Sequence, residues 1–141
     1  MSDILLSTLN ARYSHASLGL RCLRANLGSL HKQSAIKEFV IGQKTEEIAE
    51  AILNESPKIL GLGVYIWNCE ESLKLVLMLK AIRPDLIIIL GGPEVNKSAK
   101  WLISPFAVGA MSVLPSYVQK YLQNKHRQQK LFLAFKPSYL I

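Results

Sequence analysis

Three short stretches hold the residues that could do chemistry. Asn10-Ala11-Arg12-Tyr13-Ser14-His15-Ala16-Ser17 gathers an amide, a guanidinium, two serine hydroxyls and an imidazole within eight positions. Tyr65-Ile66-Trp67-Asn68 sets two aromatic rings beside a second amide, and Gly91-Gly92-Pro93-Glu94 joins bare backbone, a fixed exit direction and one carboxylate. These types suit holding a ligand better than breaking a bond. Hydroxyls and amides hydrogen-bond polar arms, aromatic rings pack on flat groups, and adjacent glycines let a bulky group approach the main chain. Gly-Gly-Pro by itself is equally consistent with a tight turn. No P-loop, H-E-x-x-H helix or nucleophile elbow is present.

Each stretch follows an apolar run of strand length. Residues 4–9 read as a buried strand, and Leu18, Cys22, Leu23 and Leu27 place a helix over residues 15–27, with Gly28 at its stop. Residues 35–41 alternate partially, which suits an outer strand. Thr45, with Glu46 and Glu47 behind it, opens a second helix whose face is Ile48, Ala49, Ile52 and Leu53. Residues 58–65 are apolar on both faces, as expected at the centre of a parallel sheet. Asn68 is a candidate cap for a third helix with a stripe of Leu73, Leu75, Val76, Leu79 and Ile82, and residues 86–90 form a fourth strand. Strand and helix in alternation predict a doubly wound parallel α/β sheet, flavodoxin-like, with four clear strands and the fifth missing or replaced. In such sheets ligands sit beyond the carboxyl ends of the strands, which is where all three stretches fall.

Composition bounds the rest. With 141 residues, half of them apolar and 19% charged, the chain can bury one domain's core. The longest apolar runs, 59–67 and 86–92, are too short to cross a bilayer, and no secretory signal is evident; a cytoplasmic location follows by default. The charge is uneven. Residues 1–94 balance 10 Lys and Arg against 10 acids, whereas residues 95–141 hold 7 Lys and Arg and no acid. Residues 1–95 therefore read as the α/β domain, and 96–141 as a divergent basic tail.

The segments Leu6-Ser7-Thr8-Leu9-Asn10-Ala11-Arg12-Tyr13-Ser14-His15-Ala16-Ser17, Gly61-Leu62-Gly63-Val64-Tyr65-Ile66-Trp67-Asn68 and Leu90-Gly91-Gly92-Pro93-Glu94-Val95 resemble the N-terminal cobalamin-binding domain of cobalamin-dependent radical S-adenosylmethionine proteins. The resemblance covers residues 3–95. It implies a corrin ring laid across the carboxyl edge of the sheet, with the nucleotide tail entering between strands and helices. The wider superfamily carries D-x-H-x-x-G in the first loop, S-x-L near the end of the third strand and G-G after the fourth. Here no Asp stands two before His15, three residues separate His15 from Gly19, and Gly63-Val64-Tyr65 takes the S-x-L place; Gly91-Gly92 matches.

The resemblance implies cofactor contacts from Asn10, Arg12, Ser14, His15, Ser17, Gly63, Tyr65, Trp67, Gly91, Gly92, Pro93 and Glu94. Three roles stand open for His15: bonding backbone at the helix start, meeting the corrin amides, or ligating cobalt. A cobalt-ligating imidazole is normally oriented by a carboxylate on its other nitrogen, and its absence from the local motif disfavours the third. Ser14 and Ser17 could bond amide arms or phosphate, or cap the first helix. Tyr65 and Trp67 could pack on the ring or its base, or belong to the core. Arg12 could meet the phosphate, and Glu94 could face the upper opening.

The C-x-x-x-C-x-x-C signature of an iron–sulfur cluster is missing: Cys22 and Cys69 are 47 apart, and both read as buried apolar fillers. The chain is thus expected to bind a cofactor without catalysing alone, beside a catalytic radical domain in full-length relatives. Residues 96–141 read as a remnant or frame-shifted segment in preference to a basic arm for nucleic acid. A flavodoxin-like binder of another ligand, or an interaction protein using the basic tail, are the competing functions.

Overall fold

The computed structural model describes residues 2–12 and 15–94. Ile4–Asn10 forms β1, buried along all seven residues because it lies inside the sheet with a partner on each side. Leu18–Ala25 forms α1, a 3-10 helix follows at Gly28–Gln33, and Ser34–Val40 forms β2. Thr45–Asn54 is α2, Ile59–Gly63 β3, Cys69–Ile82 α3 and Ile87–Gly91 β4. The strands are parallel in the order β2-β1-β3-β4. This is the doubly wound α/β sheet expected from the alternation, with β2 outermost on its side, as its partial alternation suggested. Among the described residues β4 has one partner strand, β3.

Strand alternation splits the core into two layers. Ile4, Leu6, Ile59 and Ile89 pack with Leu20, Leu23 and Leu27 of the α1 side. Leu5, Leu9, Leu60, Leu62, Ile88 and Leu90 pack with Ile48 and Ile52 of α2 and Leu75, Val76 and Leu79 of α3. The chain leaves β1 toward one edge and returns to β3 on the other side of β1. Its two loops therefore part to opposite faces, α1 on one and α3 on the other, and a crevice must open between the carboxyl ends of β1 and β3.

Several local readings need correction. The first helix spans Leu18–Ala25, not 15–27, because the His15 amide closes a turn on the Arg12 carbonyl (3.1 Å) and Ser17 caps the helix. Its buried stripe runs through Leu20, Leu23 and Leu27; Cys22 sits about 200° around the helix from Leu20 and is exposed, so it is no core filler. Leu18, 73% exposed, points away from the core for the same reason. Cys69 is buried as expected. The third strand stops at Gly63, although the Val64 amide still donates to the Gly91 carbonyl at 2.7 Å. Ile82, the last residue of α3, is exposed. The expected break at residue 95 and the tail 96–141 lie outside the described residues. Among the described residues no helix is long and apolar enough to cross a membrane.

Candidate ligand-binding site

The crevice between β1 and β3 is held by a buried amide. Asn68 is fully buried at the start of α3, yet its side chain does not cap that helix. Its Nδ2 donates to the Leu9 carbonyl at 2.9 Å and lies 3.3 Å from both Thr8 Oγ1 and the Gly63 carbonyl, while its Oδ1 accepts from the Tyr65 amide at 2.8 Å. Thr8 adds a bond from its hydroxyl to the Gly63 carbonyl at 2.9 Å. One side chain thus joins the ends of two strands to the loop carrying both aromatic rings. Tyr65 and Trp67 stack nearly parallel, centroids 4.6 Å apart and planes 3° apart, and the Trp67 indole donates to the Leu9 carbonyl at 3.2 Å. Ile66 (78% exposed) and Trp67 (45%) leave apolar surface open beside it.

A second network fixes the first loop. The Glu38 carboxylate on β2 accepts from Asn10 Nδ2 (3.0 Å) and from the Ser17 amide, and pairs with Arg21 at 2.9 Å. Burial pushes this carboxyl up, but the bonds from Asn10, Ser17 and Arg21 outweigh it and hold its pKa below the usual glutamate value. Ser17 Oγ accepts from the Leu20 amide at 3.3 Å. Of the roles weighed for Ser17, capping is the one the fold uses, and Glu38 supplies the anion at that helix start.

A carboxylate held low contributes stability above the ordinary glutamate pKa, and this is lost as pH falls through the depressed folded value. Glu38→Gln should therefore cost about 1–3 kcal/mol at pH 7, the scale of hydrogen bonds to a charged group. The gap from wild type should shrink as pH falls below 4.5, the ordinary glutamate value, toward the lowered folded one. Urea melts of both proteins at pH 7 and 3.5 check this; a gap that does not narrow in acid would contradict it.

The third wall is the turn after β4. Gly92 has φ +115°, and a Cβ there would sit 2.2 Å from the Val64 carbonyl oxygen. The chain after β4 lies directly on the chain after β3, so this glycine is required twice over, by conformation and by space. Pro93 is exposed and Glu94 half-buried.

The fold brings Asn10, Arg12, His15, Ser17, Gly63, Tyr65, Trp67, Gly91, Gly92, Pro93 and Glu94 to strand ends or the loops that leave them on this one rim. Ser14 lies outside the described residues. Arg12 and His15 are exposed, and the His15 imidazole makes no hydrogen bond to a carboxylate among the described residues; Glu38 serves Ser17, Asn10 and Arg21 instead. Sequence reasoning missed Thr8, Glu38 and Asn68 as supports. Thr8 lies inside a buried run and Glu38 in an outer strand, so neither carries a local signal. Asn68 reads as a helix cap, a role its side chain does not take, and its bonds to the ends of β1 and β3 carry no local signal. Among the described residues, no group of three His, Cys, Asp or Glu side chains could hold a metal ion.

Comparison with protein families matches residues 5–113 to the B12 binding domain. No curated protein matches the sequence. Among solved structures, the chain is similar to a novel cobalamin-binding protein from Desulfitobacterium hafniense DCB-2, with a TM-score of 0.61 and 21% identity. The alignment covers 85% of this chain and 58% of that one, and at this identity the likeness is one of fold.

Proposed function

Because the chain belongs to the B12 binding domain family, we propose that its carboxyl rim holds a cobalamin, at the crevice where β1 and β3 part. The observation that carries this reading is the close contact of Gly92 with the Val64 carbonyl. It keeps the turn after β4 low beside that crevice, so a broad flat ligand can lie across three strand ends without meeting a wall. The residues present suit such a group. A corrin ring needs a flat apolar support and donors around its edge for amide arms and phosphate. The rim offers exposed Ile66 and Trp67 for the first, and exposed Arg12 and His15 for the second. When bound, a cobalamin supplies cobalt-centred transfer of a methyl group or reactive state.

Each residue's share follows from its place. Gly63 and Gly91 keep the ends of β3 and β4 free of side chains, and Gly92 lets the turn after β4 lie against Val64. Trp67 offers a ring face, Tyr65 stacks on it, and Asn68 holds the main chain of their loop. Asn10 and Ser17, held by Glu38, set the course of the first loop, from which the exposed Arg12 and His15 reach polar arms. Pro93 directs the last loop and Glu94 borders the opening. His15 is read as a contact to the polar arms and not as the cobalt ligand, since its local motif carries no Asp two residues before it to orient the ring.

A finer reading is that the domain serves a radical S-adenosylmethionine catalytic domain; the three loop segments support it. The solved relative is described as a cobalamin-binding protein, and the chain spans 58% of its length. The acid-free composition of residues 96–141 supports reading them as a divergent segment.

Purified protein mixed with excess hydroxocobalamin should leave gel filtration coloured, near one corrinoid per chain. A folded but colourless peak would overturn the cobalamin reading.

A further inference from the structure

On the side of the sheet that faces α1, register sets Thr8, Gly63 and Gly91 in one row at the carboxyl rim. Two of those three strands carry no side chain there, although glycine inside a strand weakens it. Across the seam, Gly19 lies in the first turn of α1, where it also costs helix stability. One ring borders both Gly63 and Gly19, beside the Thr8 side chain, which would lie 3.3 Å from a Cβ on Gly63. A Cβ on Gly63 would lie 3.5 Å from Tyr65 Cε2, and a Cβ on Gly19 would lie 3.4 Å from the Tyr65 hydroxyl oxygen. Tyr65 thus stretches from the end of β3 to the start of α1.

The main chain of Tyr65 is fixed, because its amide donates to Asn68. The ring itself is held by its stack on Trp67 and by contact alone, for its hydroxyl makes no hydrogen bond among the described residues. It can turn away without leaving a buried polar group unpaired. A narrow slot walled by glycine and filled by a flat ring suits another flat aromatic ring. Resting on the cobalamin reading, we propose that Tyr65 is a built-in stand-in for the aromatic base of a corrinoid's nucleotide arm, and that it sets the preference between corrinoids with and without that base. Tyr65 turns out of the slot for a base-bearing corrinoid and stays in place for one that lacks the base.

Equilibrium dialysis of hydroxocobalamin and of cobinamide, which has no base, tests this on wild type, Tyr65→Ala, Tyr65→Phe and Gly19→Met. Tyr65→Ala should shift the affinity ratio toward hydroxocobalamin by between about two- and tenfold, the scale of one aromatic contact released. Tyr65→Phe should leave the ratio unchanged, since no bond is lost. Gly19→Met narrows the slot and should shift the ratio toward cobinamide; its thermal midpoint should not fall, because methionine is the better helix former. That variant also carries the test should Tyr65→Ala not fold. Equal weakening of both ligands by Tyr65→Ala, or ratios unmoved by both slot variants, would overturn the stand-in role and leave cobalamin binding intact. Failure of wild type to bind either corrinoid would overturn the cobalamin reading, and the stand-in role with it.

Discussion

Gly92→Ala should be among the most damaging single substitutions in this domain, at about 4 kcal/mol or more, and Gly42→Ala should show why. Both glycines have positive φ, +115° at Gly92 and +90° at Gly42. A Cβ on Gly42 would meet nothing within 4 Å, so its substitution costs backbone strain alone, about 1–2 kcal/mol. A Cβ on Gly92 would meet the Val64 carbonyl oxygen at 2.2 Å and Val64 main-chain atoms at 3.1 Å. None of these can rotate aside as a side chain could, so one of the two loops must move. Because the Val64 amide also donates to the Gly91 carbonyl, that movement strains the last pairing of β3 with β4. Urea unfolding of the two variants beside wild type separates strain from collision. Equal costs for the two would refute the collision. The same displacement lifts the rim, so any folded Gly92→Ala protein should bind hydroxocobalamin at least about tenfold more weakly, a loss near 1.4 kcal/mol.

The sheet was legible because burial in a parallel sheet writes itself into composition. Residues 59–63 and 87–91 are apolar on both faces, as strands covered by helices on both sides must be, and their alternation with helices selects the parallel sheet. Gly91-Gly92 could be singled out for a related reason: a side chain is excluded where main chains touch, and that exclusion is local. Helix ends were less legible. Cys22 and Leu18 joined an apparent stripe with Leu23 and Leu27, and only the true start at Leu18, fixed by Ser17 and by Glu38 from a strand twenty-one residues away, selects which apolar residues face inward. The supports of the site were hidden for the same reason. Glu38 reads as an ordinary charge on an outer strand until β2 is laid beside β1, with Thr8 opposite it and Asn10 two residues on. A hydrogen bond spanning that distance leaves no pattern in a single sequence.

Asn68 makes the same point with a larger expected effect. Its four polar contacts are to main-chain groups of Leu9, Gly63 and Tyr65 and to the Thr8 hydroxyl, so removing it strips partners from groups that water does not reach. Asn68→Ala should cost about 3–4 kcal/mol, a large part of the 5–15 kcal/mol that a domain of this size usually has. It should also loosen the Tyr65–Trp67 pair, read as loss of near-ultraviolet circular dichroism at Trp67. Asn68→Asp separates hydrogen bonding from shape. The aspartate keeps the acceptor for the Tyr65 amide but turns an oxygen toward the carbonyls of Leu9 and Gly63, so burial and repulsion raise its folded pKa. Protonated, it can still donate to one carbonyl, and the protein should approach wild-type stability below pH 4. As pH rises above the unfolded aspartate value, near 3.9, the unfolded chain ionises first and stability falls, until the folded pKa is reached. The Asn68→Asp deficit therefore grows with pH, and so does the deficit of Glu38→Gln, for opposite reasons. In Glu38→Gln the wild-type carboxylate, supplied with donors, gains stability as it ionises, and in Asn68→Asp the variant carboxylate, confronted by acceptors, loses it. A pH-independent deficit in Asn68→Asp would show that the amide fills space at the strand ends without joining them.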